Sequence, residues 1–162
     1  AGVGAGDEVV TVSHSFIATA NAIRYRGAVP VFVDIDPRTF NIDPDQVARA
    51  LSERTRAILV VHQMGMPADM SRLLPLARRH GVPIVEDAAC AVGSEILHDG
   101  KWERIGRPHG DIACFSFHPR KVLTTGEGGM ITTSNPDWDE RCRLWRQHGM
   151  QQFVGVKGTL HQ

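Results

Sequence analysis

The chain has 162 residues, of which 42% are hydrophobic and 22% charged, enough apolar material for one globular core and a length that argues for one domain. Eighteen basic residues balance eighteen acidic ones, and no lysine/arginine block exceeds a pair such as Arg78-Arg79. That excludes the electrostatic footprint of a nucleic-acid binder and points to a small acidic or neutral ligand.

No apolar run approaches the roughly 18 residues of a membrane span, and the first residues lack a charged-then-apolar signal pattern. A soluble, cytoplasmic protein is therefore expected. Cys90, Cys114 and Cys142 are odd in number and far apart, with no C-x-x-C pair, so neither a disulfide framework nor a structural zinc site is expected. The opening Ala1-Gly-Val-Gly-Ala-Gly6 reads as the glycine-rich end of a preceding helix, which suggests a fragment. It is not a dinucleotide fingerprint, because a strand follows it where a helix is required.

In chain order, Glu8 to Val12 predicts a short strand. Ser13-His14-Ser15 then offers capping hydroxyls to a helix over Phe16 to Tyr25, closed by Gly27. Val29 to Ile35 predicts a second strand, with Pro30 tolerable near its start or at a sheet edge. Asp43-Pro44 signals a helix start, with the carboxylate as N-cap and proline at the first helical position. Val47, Ala50 and Leu51 supply that helix's apolar face, and Ala57 to Val61 predicts a strand buried on both faces.

Asp69 predicts a cap for a helix in which Met70, Leu73, Leu74 and Ala77 recur at i, i+3, i+4 and i+7. Pro75 fits it only if regular hydrogen bonding starts near Ser71, so that the missing N–H falls in or near the first turn. Gly81 ends that helix, and Val82 to Val85 predicts a strand delivering Glu86 and Asp87. A hairpin is expected from Ile96 to Ile105, turning at Asp99-Gly100. Ile112 to Phe117 predicts a buried strand ended by Pro119, Gly129 to Thr133 a last strand, and Asn135-Pro136 a helix through Arg146. Alternating strands and helices with apolar strands argue for an α/β fold, a mainly parallel sheet flanked by helices. The segment from Met150 onward shows no clear period and reads as a tail.

Strand ends carry the chemistry. Lys121 lies just beyond a buried strand and before the glycine-rich turn Gly126-Glu-Gly-Gly129, where α/β folds hold ligands, outside the carboxyl ends of strands. There it serves as an amine nucleophile or, as the bland alternative, as a solvated surface lysine. Asp87, following Ile84-Val85, sits at the mouth of the core, where a buried charge requires a partner. Its alternative is a carboxylate capping a following helix. An amine and a carboxylate separated by a flat heterocycle suit pyridoxal phosphate, in which a lysine forms the Schiff base and an aspartate keeps the ring nitrogen protonated. His62 and His118 flank these motifs without metal-ligand spacing, so no metal is expected. Glu127 is either a wall of the substrate entrance or a turn carboxylate.

Asp7-Glu-Val, Val31-Phe-Val-Asp-Ile-Asp-Pro37, Val61-His-Gln-Met-Gly-Met-Pro-Ala-Asp69, Val85-Glu-Asp-Ala-Ala89, Asp111-Ile-Ala-Cys-Phe-Ser-Phe-His-Pro-Arg-Lys121 and Gly126-Glu-Gly-Gly129 occur in that order. From Ala1 to about Met150 the chain resembles the DegT/DnrJ/EryC1/StrS family of pyridoxal-phosphate sugar aminotransferases. The resemblance implies part of the large domain of a fold type I transferase: a partial cofactor-binding domain over 1–150 and a truncated tail over 151–162. It implies that Lys121 forms the Schiff base and carries protons, that Asp87 partners the ring nitrogen, that Ser116 contacts the cofactor phosphate and that Phe16 stacks on the ring.

Cys90 stands where family members often carry glutamine or histidine near the cofactor's phenolic oxygen, and a thiol is a weak donor. The implied partners are an amino donor such as glutamate, a nucleotide-linked ketosugar and a second subunit in a homodimer. Lysine, where dehydratases of the family carry histidine, favours transamination. The family's phosphate-binding loop, its smaller domain and the partner subunit's loop fall outside these residues, so the 162 residues alone are expected to bind the cofactor weakly and to be inactive. Rival readings are another fold type I enzyme, such as a lyase, desulfurase or decarboxylase, and a non-catalytic binding or regulatory relative.

Overall fold

The apolar runs become strands in a computed structural model that describes residues 1–150; the tail expected over 151–162 lies outside the described residues. The strands are β1 (Glu8–Val12), β2 (Val29–Val33), β3 (Thr55–Val61), β4 (Ile84–Asp87), β5 (Glu95–His98), β6 (Lys101–Arg104), β7 (Ile112–Ser116) and β8 (Gly129–Thr133). Helices α1 (Ile17–Arg24), α2 (Pro44–Ala50), α3 (Met70–His80) and α4 (Pro136–Arg146) alternate with them. One sheet has the order β2-β1-β3-β4-β7-β8, its first five strands parallel and β8 antiparallel to β7. This is the mainly parallel sheet expected, closed at one side by an antiparallel edge.

Burial follows position in the sheet. Every residue of β1 and all of Ala57 to Val61 in β3 are buried, as befits central strands covered on both faces. At the edges, Phe32 of β2 and Met130 and Ile131 of β8 are exposed. Pro30 sits on edge strand β2, where its missing N–H breaks no central ladder. Helix α3 packs Met70, Leu73, Leu74, Leu76 and Ala77 into the main core. Strands β5 and β6 form the separate hairpin, with Asp99 (φ 48) and Gly100 (φ 76) both left-handed, as a two-residue type I′ turn requires.

Local capping signals hold in three helices. Asp43 accepts from Asp45 N–H, Asp69 from Arg72 N–H, and Asn135 from the N–H groups of Asp137 and Trp138. Three expectations shift. The hydroxyls of Ser13 and Ser15 do not cap α1: Phe16 is the N-cap residue without a side-chain bond, and Ser15 turns instead to Thr19.

Strand β4 starts at Ile84 rather than Val82. The Val82 N–H bonds Ala77 C=O and the Gly81 N–H bonds Arg78 C=O, a Schellman closure of α3 with Gly81 at φ 64; Pro83 has no N–H to give. Pro75 lies well inside α3, which begins at Met70, and so removes the N–H due to the Ser71 carbonyl. Both residues are exposed, so water can reach that carbonyl.

Candidate active site

Strand β1 has β2 on one side and β3 on the other, so the chain reverses its direction of sheet building there. In open α/β sheets such a reversal opens a crevice outside the carboxyl ends of the strands. Phe16 follows the carboxyl end of β1, Asp87 ends β4, Ser116 ends β7, and Cys90 and Lys121 lie in the loops just beyond β4 and β7. Phe16, at 73% exposure, is not a core residue of α1; Thr19 and Ile23 fill that face.

Asp87 is half-buried and held from two sides. Its Oδ1 accepts from Ala89 N–H at 3.1 Å, and its Oδ2 from the hydroxyl of Thr19, also at 3.1 Å. Thr19 is buried, and its Oγ1 lies 2.7 Å from Ser15 Oγ. Because the one Thr19 proton goes to Asp87, Ser15 is the donor in that second contact, giving a relay Ser15 to Thr19 to Asp87. A carboxylate oxygen offers more than one lone-pair direction, so capacity remains for another donor.

Lys121 lies in the loop that closes on Phe117: Thr125 N–H bonds the Phe117 carbonyl, and Lys121 N–H bonds His118 C=O at 2.9 Å. The Nζ amine donates to Cys90 Sγ at 3.2 Å, and no carboxylate pairs with it among the described residues. Ser116 Oγ accepts from His118 N–H at 3.3 Å, leaving its own proton free to be donated. Beneath these groups, Cys114 stands beside Asp87 in the β4–β7 register. Burial, with the Asp87 carboxylate next in weight, pushes its thiol from an ordinary 9.0 up to about 11.

A second network braces the floor. His62 and Glu86 are fully buried; His62 Nε2 lies 2.8 Å from Glu86 Oε2, while His62 Nδ1 accepts from Ala68 N–H at 3.1 Å. The proton of the ring is therefore on Nε2 and is donated to Glu86, whose other oxygen accepts from Gly110 N–H. His62 is thus committed to holding the loop after β3 against β4. Its neighbour Gly65 (φ +86) is required, because a Cβ there would come within 2.8 Å of the Cys90 carbonyl.

These residues fit pyridoxal phosphate on a structural ground. An acid and an amine stand at neighbouring strand ends with no ion pair between them, and a hydroxyl with a free proton lies at the end of β7. Thr19 and Glu86 were missed as functional positions. A β-branched hydroxyl one turn into a helix, on the face that Ile23 buries, was the available signal for Thr19; for Glu86 it was a carboxylate inside an apolar strand. A separate concavity of about 490 Å³, lined by Gly110, Asp111 and Ser134 to Asp137, lies at the amino ends of the sheet, away from this chemistry. There Asp111 is occupied in bracing Ile84 N–H at 2.8 Å.

Residues 1–162 match the family model described as the DegT/DnrJ/EryC1/StrS aminotransferase family. The chain belongs to this family. A protein of Geobacillus stearothermophilus named pleiotropic regulatory protein is 50% identical over 150 residues, 92% of this chain and 39% of that protein. The GDP-perosamine synthase of Caulobacter vibrioides is 48% identical over 149 residues, again 92% of this chain and 39% of the other. Among solved structures, S. venezuelae DesV in complex with ketimine intermediate superimposes with a TM-score of 0.86 at 43% identity, covering 96% of this chain and 41% of DesV.

The chain thus spans about two fifths of the length of these family members. Other solved structures of the same fold are described as an aminotransferase, as a putative sugar aminotransferase in PLP form and in PMP form, and as a Bacillus subtilis protein with bound cofactor PMP. The mainly parallel sheet is accordingly that of a fold type I pyridoxal-phosphate enzyme.

Proposed function

We propose that residues 1–150 form the cofactor-binding part of a pyridoxal-phosphate aminotransferase that moves an amino group from an amino acid such as glutamate to a nucleotide-linked ketosugar. The observation that carries this reading is the placement of Asp87 and Lys121 at adjacent strand ends, each with spare bonding capacity and unpaired with one another. Sugar-nucleotide specificity is suggested by the name of the Caulobacter vibrioides relative.

Pyridoxal phosphate, when bound, supplies an aldehyde that condenses with amines and a ring that takes up the electrons of a broken C–H bond. Asp87, steadied by Thr19, accepts the proton-bearing ring nitrogen's hydrogen bond and keeps that nitrogen protonated. Lys121 provides the amine for covalent attachment and, once freed, carries the proton between carbon atoms. Ser116 would donate its hydroxyl to the phosphate, and the exposed ring of Phe16 would cover the cofactor's face. Cys90 would face the phenolic oxygen, where its thiol would make a weaker hydrogen bond than an amide or imidazole. The working protein is a cytoplasmic homodimer.

The test is release of 2-oxoglutarate from glutamate when a nucleotide-linked ketosugar is the acceptor. Lys121→Ala and Asp87→Asn should each lower turnover by about two orders of magnitude or more. A regulatory role, prompted by the name of the Geobacillus stearothermophilus relative, requires no such amine, and absence of turnover in the unaltered protein would favour it.

A further inference from the structure

Cys90 is exposed, and the one side-chain partner of its sulfur among the described residues is the Lys121 amine, 3.2 Å away. Both residues sit on hydrogen-bonded backbone. Cys90 lies in a turn closed by Ala91 N–H to Ala88 C=O and by Ser94 N–H to Ala91 C=O, and Ser94 Oγ ties that turn to the Gly65 carbonyl at 2.6 Å. Lys121 arrives from the β7–β8 loop, held by its own N–H on His118 C=O. Two nucleophiles fixed in van der Waals contact react at high effective concentration once one of them becomes electrophilic.

We propose that Cys90 and Lys121 form an oxidation-driven modification site, in which hydrogen peroxide closes the pair into a reversible sulfur–nitrogen link. Peroxide first transfers one oxygen to the Cys90 sulfur, giving a sulfenic acid and one water; the sulfur is oxidised by two electrons and the peroxide reduced. The neutral Lys121 amine then attacks that sulfur. The S–N bond forms, the S–OH bond breaks, and hydroxide leaves with an amine proton as a second water. The protein loses two hydrogens in all, and a dithiol restores both side chains.

On the reading of Lys121 as the attachment point for pyridoxal phosphate, the link removes the amine that cofactor loading needs, and a loaded cofactor in turn shields the pair. Neither Cys114 nor Cys142 has an amine in hydrogen-bonding contact among the described residues, and the raised thiol of Cys114 makes it a poor thiolate, so both serve as internal controls.

The purified protein, stripped of cofactor, is treated with hydrogen peroxide, digested with trypsin and mapped by mass spectrometry. The expected product joins His80–Lys101 to Lys121–Arg141 with loss of two hydrogens. It disappears after dithiothreitol and does not form in Cys90→Ser or Lys121→Met. Peroxide treatment that leaves these peptides separate, or that takes Cys90 to sulfinic acid with Lys121 free, overturns the proposal even if pyridoxal phosphate still labels Lys121. If the joined peptide forms and prior loading with pyridoxal phosphate does not suppress it, the pair stands and the functional reading of Lys121 falls.

Discussion

Thr19 in α1 donates its hydroxyl proton to Asp87 at the end of β4, across 3.1 Å and 68 residues of sequence. The bond fixes the direction of the carboxylate at the crevice mouth and joins the helix after β1 to a strand two places away in the sheet. Thr19→Val keeps the shape but leaves the Asp87 oxygen without its donor and the Ser15 hydroxyl without its acceptor. A loss of about 1–3 kcal/mol in urea-unfolding free energy is expected. Weaker binding of pyridoxal phosphate by absorbance titration should accompany it; Thr19→Ser should restore most of both.

The buried pair of His62 and Glu86 predicts a second loss of stability. In Glu86→Gln the new amide cannot satisfy both donors: an oxygen facing Gly110 N–H turns the NH₂ toward the His62 Nε2–H. Reversing the imidazole tautomer offers no escape, because Nδ1 already accepts from Ala68 N–H. Leaving a buried donor without an acceptor costs about 1–3 kcal/mol. A drop of that order in denaturant-unfolding free energy is the expected result, with Glu86→Ala at least as severe.

Cys114 makes stability depend on alkaline pH. Its thiol titrates near 9.0 in the unfolded chain and at about 11 in the folded one, so folding favours the protonated form. That contribution is fully present below pH 9 and is lost as pH rises through 11. Between these values the folded protein should lose stability more steeply than Cys114→Ala does, measured as the pH dependence of the urea midpoint. Below pH 9 the two curves should run parallel.

Gly65 tests whether the loop beneath Cys90 is as closely packed as it looks. Gly65→Ala places a Cβ 2.8 Å from the Cys90 carbonyl at a φ of +86. The backbone term alone costs about 1 kcal/mol, and displacement of Cys90 follows from the clash. Thermal unfolding should show the loss of stability, and alkylation of Cys90 should change rate in the variant while that of Cys114 does not.

What the sequence made legible was local. Asp43-Pro44, Asp69 and Asn135-Pro136 announce their helices because a capping side chain acts on N–H groups two or three residues away. Gly129–Thr133 and the Asp99-Gly100 turn were likewise readable from local preferences, those of a strand and of a two-residue turn. Asp87 and Lys121 drew notice by standing at the ends of apolar runs, and their joint meaning came from the ordered motifs of the family.

Pairings across long separations were not legible. Thr19 with Asp87, His62 with Glu86, and Cys90 with Lys121 depend on the strand order β1-β3-β4-β7, which is set by packing of whole elements. Pro75 shows the converse failure: tertiary burial of the Leu73, Leu74 and Leu76 face holds a helix together around a residue whose local preference is to end it.

The central claim, that Lys121 is the amine to which pyridoxal phosphate attaches opposite Asp87, is tested most directly by borohydride reduction of the protein loaded with the cofactor, followed by peptide mapping. The account predicts a reduced pyridoxyl group on Lys121, which then resists trypsin and appears at the head of the peptide Lys121–Arg141. Label on another lysine, or loaded protein that reduces without labelling Lys121, would contradict it.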